Sequence, residues 1–286
     1  MTLSIITINY NNASGLQKTM ESVLCQTSKD FEYIVIDGAS TDGSVEFIQT
    51  FKLSNFQTLS YLSEPDSGIY NAMNKGIKKA KGKYIQFLNS GDWLVDNFVV
   101  QNMLNELQSF NTKEKNDDID IFVGKKISVR EDGKIRKEQN SHYVGLITFY
   151  GSTLQHTSAY INRSLFDKYG LYDETLKIVS DWKWYLIVAG LNKANVIFTE
   201  INVSYFDTTG ISSTNLNLES SERKKVLEEL VPAPILSDYD KYYLDIVRIE
   251  RLKKHPIFYR LFWFIERVLF KFEKWNIRFL GWKSIK

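Results

Sequence analysis

Phe31-Glu32-Tyr33-Ile34-Val35-Ile36-Asp37-Gly38-Ala39-Ser40-Thr41-Asp42-Gly43 is the stretch that decides the fold of this chain. Its first six residues are β-branched or aromatic apart from Glu32, the pattern of a buried strand, and the next seven are small, acidic or hydroxylic, a polar loop. Residues 44–51 then read as a helix. The same unit recurs on both sides. Upstream, residues 3–8 form a β-branched run that ends in Asn9-Tyr10-Asn11-Asn12, followed by Leu16, Met20, Val23 and Leu24 at helical spacing. Downstream, residues 58–62 read as a third strand closed by Ser63-Glu64-Pro65-Asp66-Ser67-Gly68. Residues 69–80 follow as a helix with Ile69, Ala72, Met73, Ile77 and Ala80 on one face, and residues 83–88 as a fourth strand running into Asn89-Ser90-Gly91-Asp92. Alternating strands and helices predict a mostly parallel sheet with helices on both faces. In such sheets the functional loops gather at the carboxyl ends of the strands, so four strand ends deliver Asn9, Asp37, Asp66 and Asp92 to one rim.

The pattern is less regular further on. Residues 111–118 are polar and read as an exposed loop. Residues 119–129 and 134–139 suggest paired strands around the Glu131-Asp132-Gly133 turn. Residues 164–170 form a short helix with Ser164 as its cap and Gly170 closing it. Residues 181–189 are another helix, and 196–205 a strand pair or extended segment. Beyond Leu218 the pattern is helical, broken near Pro232, Pro234 and Pro256.

A chain of 286 residues accommodates one large α/β domain with an appendage, or two small domains. The net charge of +2 hides an asymmetry: residues 251–286 hold ten Lys or Arg against two Glu. That segment is therefore roughly +8 and the rest about −6, a basic tail suited to an acidic partner. The single cysteine, Cys25, permits no intramolecular disulfide and fits a reducing compartment. No apolar run approaches the roughly 20 residues needed to cross a bilayer, and the first ten residues lack the basic start of a signal peptide. A soluble or peripheral cytoplasmic protein is expected.

Three stretches can carry chemistry. Asp37, at the mouth of its strand, can accept from a base edge, or with Ser40 can merely cap the next helix. Asp92 is a hard oxygen ligand placed where a divalent cation could bridge it to diphosphate oxygens, or it caps a turn. The run from Glu64 to Gly76 sets acidic and hydroxyl groups before a helix whose first turns present Asn71, Asn74 and Lys75, suited to an anionic or hydroxyl-rich ligand. The competing reading makes Asp66 or Ser67 a cap and Lys75 a solvated charge.

With these residues in place, residues 1–215 resemble the family-2 glycosyltransferases of the GT-A fold, several motifs occurring in the family's order. Thr7-Ile8-Asn9-Tyr10-Asn11 is similar to the first-strand motif, and the run from Phe31 to Ser44 to the second. The stretch from Glu64 to Gly76 is similar to the third, and the run from Lys81 to Asp92 to the approach to the metal motif. In the later half, Gln155-His156-Thr157, the segment from Arg163 to Gly170 and Tyr172-Asp173-Glu174 resemble the acceptor side. Ser180-Asp181-Trp182 resembles the catalytic acid–base region, and Gly210-Ile211-Ser212-Ser213 the loop after it.

The resemblance implies a GT-A, Rossmann-like α/β domain over 1–215. Residues 1–100 would form the nucleotide-sugar half and 101–215 the acceptor half, with 216–286 a helical, basic and aromatic extension. It implies a nucleotide-sugar donor held by Thr7, Asn9, Asp37, Ser40, Asp66, Asn71, Lys75, Asn89 and His156. Asp92 would be the ligand of a divalent cation, Mn²⁺ or Mg²⁺, and Asp181 the base of an inverting displacement. Read alone, His156 is equally a satisfied half-buried histidine, and Asp181 a helix N-terminal carboxylate. Two departures stand out: Asn89 and Gly91 leave Asp92 as the main anion of the metal motif, and position 71 is Asn where related sequences often have Asp. UDP is the expected nucleotide because Asp37 suits a pyrimidine edge, with GDP and dTDP open. The acceptor would be a glycan or lipid-linked hydroxyl in surface polysaccharide assembly. A nucleotidyltransferase would need a Gly-rich basic loop near the first strand, which residues 7–15 lack. A non-catalytic nucleotide-sugar binder would have no use for both Asp92 and Asp181. In the tail, Phe258, Phe262, Ile265, Leu269, Phe272 and Ile277 mark an apolar stripe among basic residues and Trp263, Trp275 and Trp282. It reads as an amphipathic helix on an anionic membrane or as one packed on protein. No nucleic-acid motif accompanies it.

Overall fold

The computed structural model describes residues 1–55, 59–113, 119–137, 143–210 and 214–280. The chain divides into two units, Met1–Glu229 and Leu230–Lys286.

In the first unit, β1 (Leu3–Asn9) and β2 (Phe31–Asp37) are buried along their whole length. This is what near-continuous apolar strands covered on both faces require. With β3 (Leu59–Ser63) and β4 (Tyr84–Phe87) they form a parallel four-stranded half in the order β3-β2-β1-β4. Helix α1 (Ala13–Leu24) packs Leu16, Met20 and Val23 with Leu3, Ile5, Tyr33 and Val35, the odd-numbered face of those strands. Helix α4 (Val99–Lys113) adds Met103 and Leu107 to the same core. Helix α3 (Ile69–Lys79) takes the other face. It approaches so closely that a Cβ on Gly76 would lie 2.6 Å from Ile6 Cγ2. Helix α2 (Ser44–Asn55) completes the parallel half.

The second half of the sheet is mixed. Strand β8 (Ala159–Asn162) runs antiparallel to β4 and to β6 (Ile121–Val129), and β9 (Val196–Asp207) is parallel to β6. The two-residue β5 (Trp93–Leu94) closes the edge against β9, and β7 (Ile135–Lys137) hairpins onto β6. The order is β3-β2-β1-β4-β8-β6-β9-β5. Residues 196–205 thus belong to one long strand, and the expected hairpin at Glu131-Asp132-Gly133 is present, with 138–139 outside the described residues.

Two local expectations change. Asn111, Thr112 and Lys113 are the last turn of α4 rather than loop, residues 114–118 lying outside the described residues. Ser164 does not cap α6 (Ser164–Tyr169). It is already helical, and Asn162 Oδ1 accepts its N–H at 3.1 Å and its hydroxyl at 2.8 Å. Gly170 does close that helix, with φ 84°. Helices α5 (Leu146–Gly151) and α7 (Ser180–Tyr185) follow, the latter widening into a π turn at Leu186–Leu191.

Helix α8 (Leu216–Leu230), which the sequence groups with the tail, is tied to the body of the first unit. Glu222 accepts the backbone N–H groups of Lys177, Ile178 and Val179 at 2.8, 3.0 and 3.3 Å. The Arg223 guanidinium lies 4.9 Å from the Trp182 ring and donates to Ser152 O. The second unit contains α9 (Ala233–Lys253) and α10 (Pro256–Leu280). Among the described residues no helix is long and apolar enough to cross a membrane.

Candidate active site

The parallel register places Asn9 opposite Asp37, and Asp37 opposite Ser63, at the carboxyl ends of β1, β2 and β3. Beside this row opens a cavity of about 740 Å³. Of the residues expected from sequence, Asn9, Asp66, Asn89, Asp92, His156 and Asp181 line it. The others support it from behind.

Thr7 is fully buried one pair of residues below the rim. Its hydroxyl is spent on Tyr33 Oη at 2.9 Å and Leu88 O at 2.7 Å, so it faces the core and not the cavity. Asp37 is also fully buried, and its four acceptor positions are taken. Oδ1 accepts from Asn9 Nδ2 at 2.9 Å and Ser40 Oγ at 2.6 Å, and Oδ2 from Ser40 N at 2.9 Å and Ser63 Oγ at 2.7 Å. Burial alone would raise this carboxyl, but those bonds outweigh it and hold the group below the ordinary carboxylate range. Ala39, at φ 60°, supplies the left-handed turn that brings Ser40 back onto Asp37. A non-glycine residue held there is strain that the Asp37 bonds must maintain. Asn71 and Lys75 likewise hold neighbouring chain. Asn71 Nδ2 donates to Glu174 at 2.8 Å, while Lys75 pairs with Glu64 and donates to Pro65 O, both at 2.9 Å.

At one end of the cavity sits Asp92, 4% exposed, whose Oδ1 accepts from Asp207 N at 2.9 Å. Burial drives its carboxyl up to about 7, the Asp207 N–H and the charges of Lys126 and Lys18 opposing the rise and the Asp207 charge adding to it. The Lys18 ammonium is set 3.0 Å over the Trp93 ring, and Lys126 4.3 Å from that of Phe206. Asn89 Oδ1, in the same wall, is out of solvent with no hydrogen-bond partner among the described residues. Gly91, at φ 103°, lets the loop turn with Asp207 Oδ2 only 3.8 Å from where a Cβ would stand. A buried carboxylate held at a raised pKa and an unpartnered amide oxygen fit the hard-oxygen preference of Mg²⁺ or Mn²⁺. Among the described residues no three His, Cys, Asp or Glu side chains converge as a cage. A cation here would complete its shell with diphosphate oxygens and water, as Mg²⁺ commonly does.

Asp181, in the first turn of α7, is a further carboxylate of the cavity wall. Its Oδ1 accepts from Tyr70 Oη at 2.8 Å, and its Oδ2 lies 3.3 Å from His156 Nδ1. Tyr70 has one proton and two acceptors, Asp181 and Ile178 O. Burial pushes the His156 imidazole below its usual range, outweighing the upward pull of Asp181, with Lys126 lowering it further. The ring is then neutral, and if Nδ1–H faces Asp181 its Nε2 is a bare acceptor. That atom is buried in the cavity wall and unpartnered among the described residues. With two carboxylate lone-pair directions still open, Asp181 can take a proton from a hydroxyl brought into the cavity. Tyr70, Asp207, Lys126 and the Glu222 clamp on residues 177–179 escape the sequence reading. Only Tyr70 sits inside a motif that it singles out.

In fold, the chain is similar to the GT-A glycosyltransferases. The Staphylococcus aureus TarS fragment 1–349, solved with UDP-GlcNAc, superposes with a TM-score of 0.61 at 17% identity, over 79% of this chain and 64% of that one. The mannosyltransferase PcManGT of Pyrobaculum calidifontis, solved with GDP-Man and Mn²⁺, gives 0.60 at 15% identity, over 84% and 69%. Together with the pocket at the strand ends, this defines a GT-A fold protein. The chain belongs to glycosyl transferase family 2, whose model matches residues 4–170. An uncharacterised glycosyltransferase of Rickettsia prowazekii is 31% identical over 189 residues, 63% of this chain and 56% of the relative's own length.

Proposed function

We propose that this protein is an inverting glycosyltransferase. It moves a sugar from a nucleotide-sugar donor to a hydroxyl of a glycan or lipid-linked acceptor in cell-surface polysaccharide assembly, on the cytoplasmic side. A UDP-sugar is preferred on the likeness to the fragment solved with UDP-GlcNAc and not on Asp37, whose acceptor positions are filled by the protein. The observation that carries this reading is the pairing of two unlike carboxylates in one cavity. Asp92 is buried and lines the cavity together with Asn89, whose amide oxygen is unpartnered among the described residues, whereas Asp181 is hydrogen-bonded to Tyr70 and lies 3.3 Å from His156. One suits a cation on a diphosphate and the other a proton transfer.

In this account Asn9 and Asp66, with Tyr10 and Gly38 beside them, form the nucleoside end of the cavity. A Cβ at Gly38 would come within 2.6 Å of Asp66 Oδ2, so a larger residue there would turn the Asp66 carboxylate aside. Asp37 and Ser40 brace this wall from behind. Asp92 and Asn89 would hold the cation, which supplies charge neutralisation to the departing diphosphate. Lys126 and Lys18 add positive charge to that end of the site. Asp181 takes the proton of the acceptor hydroxyl as its oxygen attacks the anomeric carbon. The bond from that carbon to the diphosphate oxygen breaks, its electron pair leaves with the diphosphate, and the configuration inverts. Tyr70 and His156 fix the carboxylate, and Glu222 fixes the loop that leads to it. Residues 1–100 supply most of the donor site and 101–215 the acceptor side, with Lys126 and His156 reaching across to the donor.

The neighbouring folds were solved with UDP-GlcNAc and GDP-Man, so a thermal-shift panel of UDP, GDP, dTDP and CMP, with and without Mn²⁺, tests the donor site. The expected result is stabilisation by one nucleoside diphosphate, UDP first, that deepens with Mn²⁺. A ligand at 100 times its Kd adds about 2.7 kcal/mol. No stabilisation by any of the four overturns the reading.

A further inference from the structure

The second unit holds a surface whose chemistry the cavity does not use. In α10, Phe258, Leu261, Phe264, Ile265, Leu269 and Phe272 are all between 48% and 64% exposed. At about 100° per residue they fall within one arc of roughly 140°, with Trp263 and Phe270, also exposed, outside it. Arg260, Arg267, Lys271 and Lys274 fall together on the flank beside it, within about 60°, while Glu266 and Glu273 lie on the opposite flank. None of α9, the helix that precedes it, is buried.

We propose that α10 is a docking helix for an anionic lipid bilayer. It lies in the surface plane, with the apolar arc toward the acyl chains and the four cations among the headgroup phosphates. Three observations support this occupant. The arc is too wide and too aromatic to be left in water without cost. The basic line sits at its edge, where Lys and Arg stems can run along the apolar surface and place their charges at phosphate level. The helix is not apolar enough to span the membrane. A second copy of the chain could cover the arc, but it would bring an equal excess of positive charge to the contact. The proposal stands apart from the glycosyltransferase reading and survives its failure.

The test is flotation of the full-length chain with phosphatidylcholine vesicles and with mixed phosphatidylcholine–phosphatidylglycerol vesicles, at low and high salt. Binding to the mixed vesicles only, weakened by salt, is expected. A variant carrying Arg260→Gln, Arg267→Gln, Lys271→Gln and Lys274→Gln together should lose partitioning by a factor on the order of 10² to 10³. Leu261→Glu with Leu269→Glu should abolish it. Both variants should keep the wild-type melting transition, which shows that the loss is not unfolding. Equal binding to neutral vesicles, or no binding to the mixed vesicles, would overturn the proposal, and concentration-dependent self-association that the Leu261→Glu, Leu269→Glu variant abolishes would then assign the arc to a second copy of the chain.

Discussion

Asp181→Asn is expected to lower sugar transfer by a factor on the order of 10³ while leaving nucleotide-sugar binding within about twofold of wild type. The amide keeps an acceptor for the Tyr70 hydroxyl, so the loop from Ile178 to Asp181 stays anchored, and the Glu222 bonds to residues 177–179 are untouched. The basic oxygen that would receive the acceptor proton is what disappears. A loss confined to kcat, measured by nucleotide release with a saturating donor, marks a group used in the transition state and not in ground-state binding. A rise in KM at unchanged kcat would assign Asp181 to binding instead.

The second large effect concerns the stability contributed by Asp92 and has opposite signs without and with nucleotide and cation. Burial holds its folded pKa at about 7, above the roughly 3.9 of an unfolded aspartate. Between about pH 4 and 7 the native state therefore binds more protons than the unfolded state, and this group makes stability fall as pH rises across that window. Asp92→Asn removes the ionisation and keeps an acceptor for the Asp207 N–H. At pH 8 without divalent cation the variant should be the more stable protein, by up to about 4 kcal/mol. The gap should close near pH 4. With nucleotide and Mn²⁺ the order should reverse, because only the carboxylate gains from the cation. Melting curves at pH 5 and pH 8, with EDTA or with UDP and Mn²⁺, check each sign. A variant less stable than wild type at pH 8 in EDTA would show that Asp92 is a structural carboxylate.

Much of this architecture is legible from the chain itself, and the physical reason is locality. The strands that end in Asn9 and Asp37, and the one that leads into the turn at Asp92, declare themselves by an apolar run giving way to polar residues. The rule that parallel sheets gather function at strand carboxyl ends then places the cavity. Thr7 shows where that reasoning stops. The period of two puts Thr7 on one face with Leu3 and Ile5, but in a strand buried on both faces the apolar run carries no alternation, so the sequence does not reveal that this face meets Tyr33 in the core and not the cavity. Asp37 fails for a different reason. Its partners Asn9 and Ser63 come from two other strands in exact register, and register is a property of the assembled sheet. The same holds for Asp207, which reaches Asp92 only because β9 pairs with β5. Glu222 lies on a helix whose sequence gives no sign that it caps a loop 43 to 45 residues earlier. His156 and Asp181 could be named individually, but their 3.3 Å approach depends on the whole second half of the sheet.

The central claim is that Asp181 activates a nucleophile for direct, inverting attack on the sugar of a donor held by the Asp92 end of the cavity. Water can stand in for the acceptor, so the measurement needs no knowledge of it. The wild-type protein is incubated with the nucleotide-sugar whose nucleotide stabilises it and with Mn²⁺, and the anomeric proton of the released sugar is followed by NMR from the first minutes, before mutarotation. Initial release of the anomer opposite to that of the donor is expected, with Asp181→Asn releasing almost none. Initial release of the same anomer, or release undiminished in Asp181→Asn, would contradict that claim.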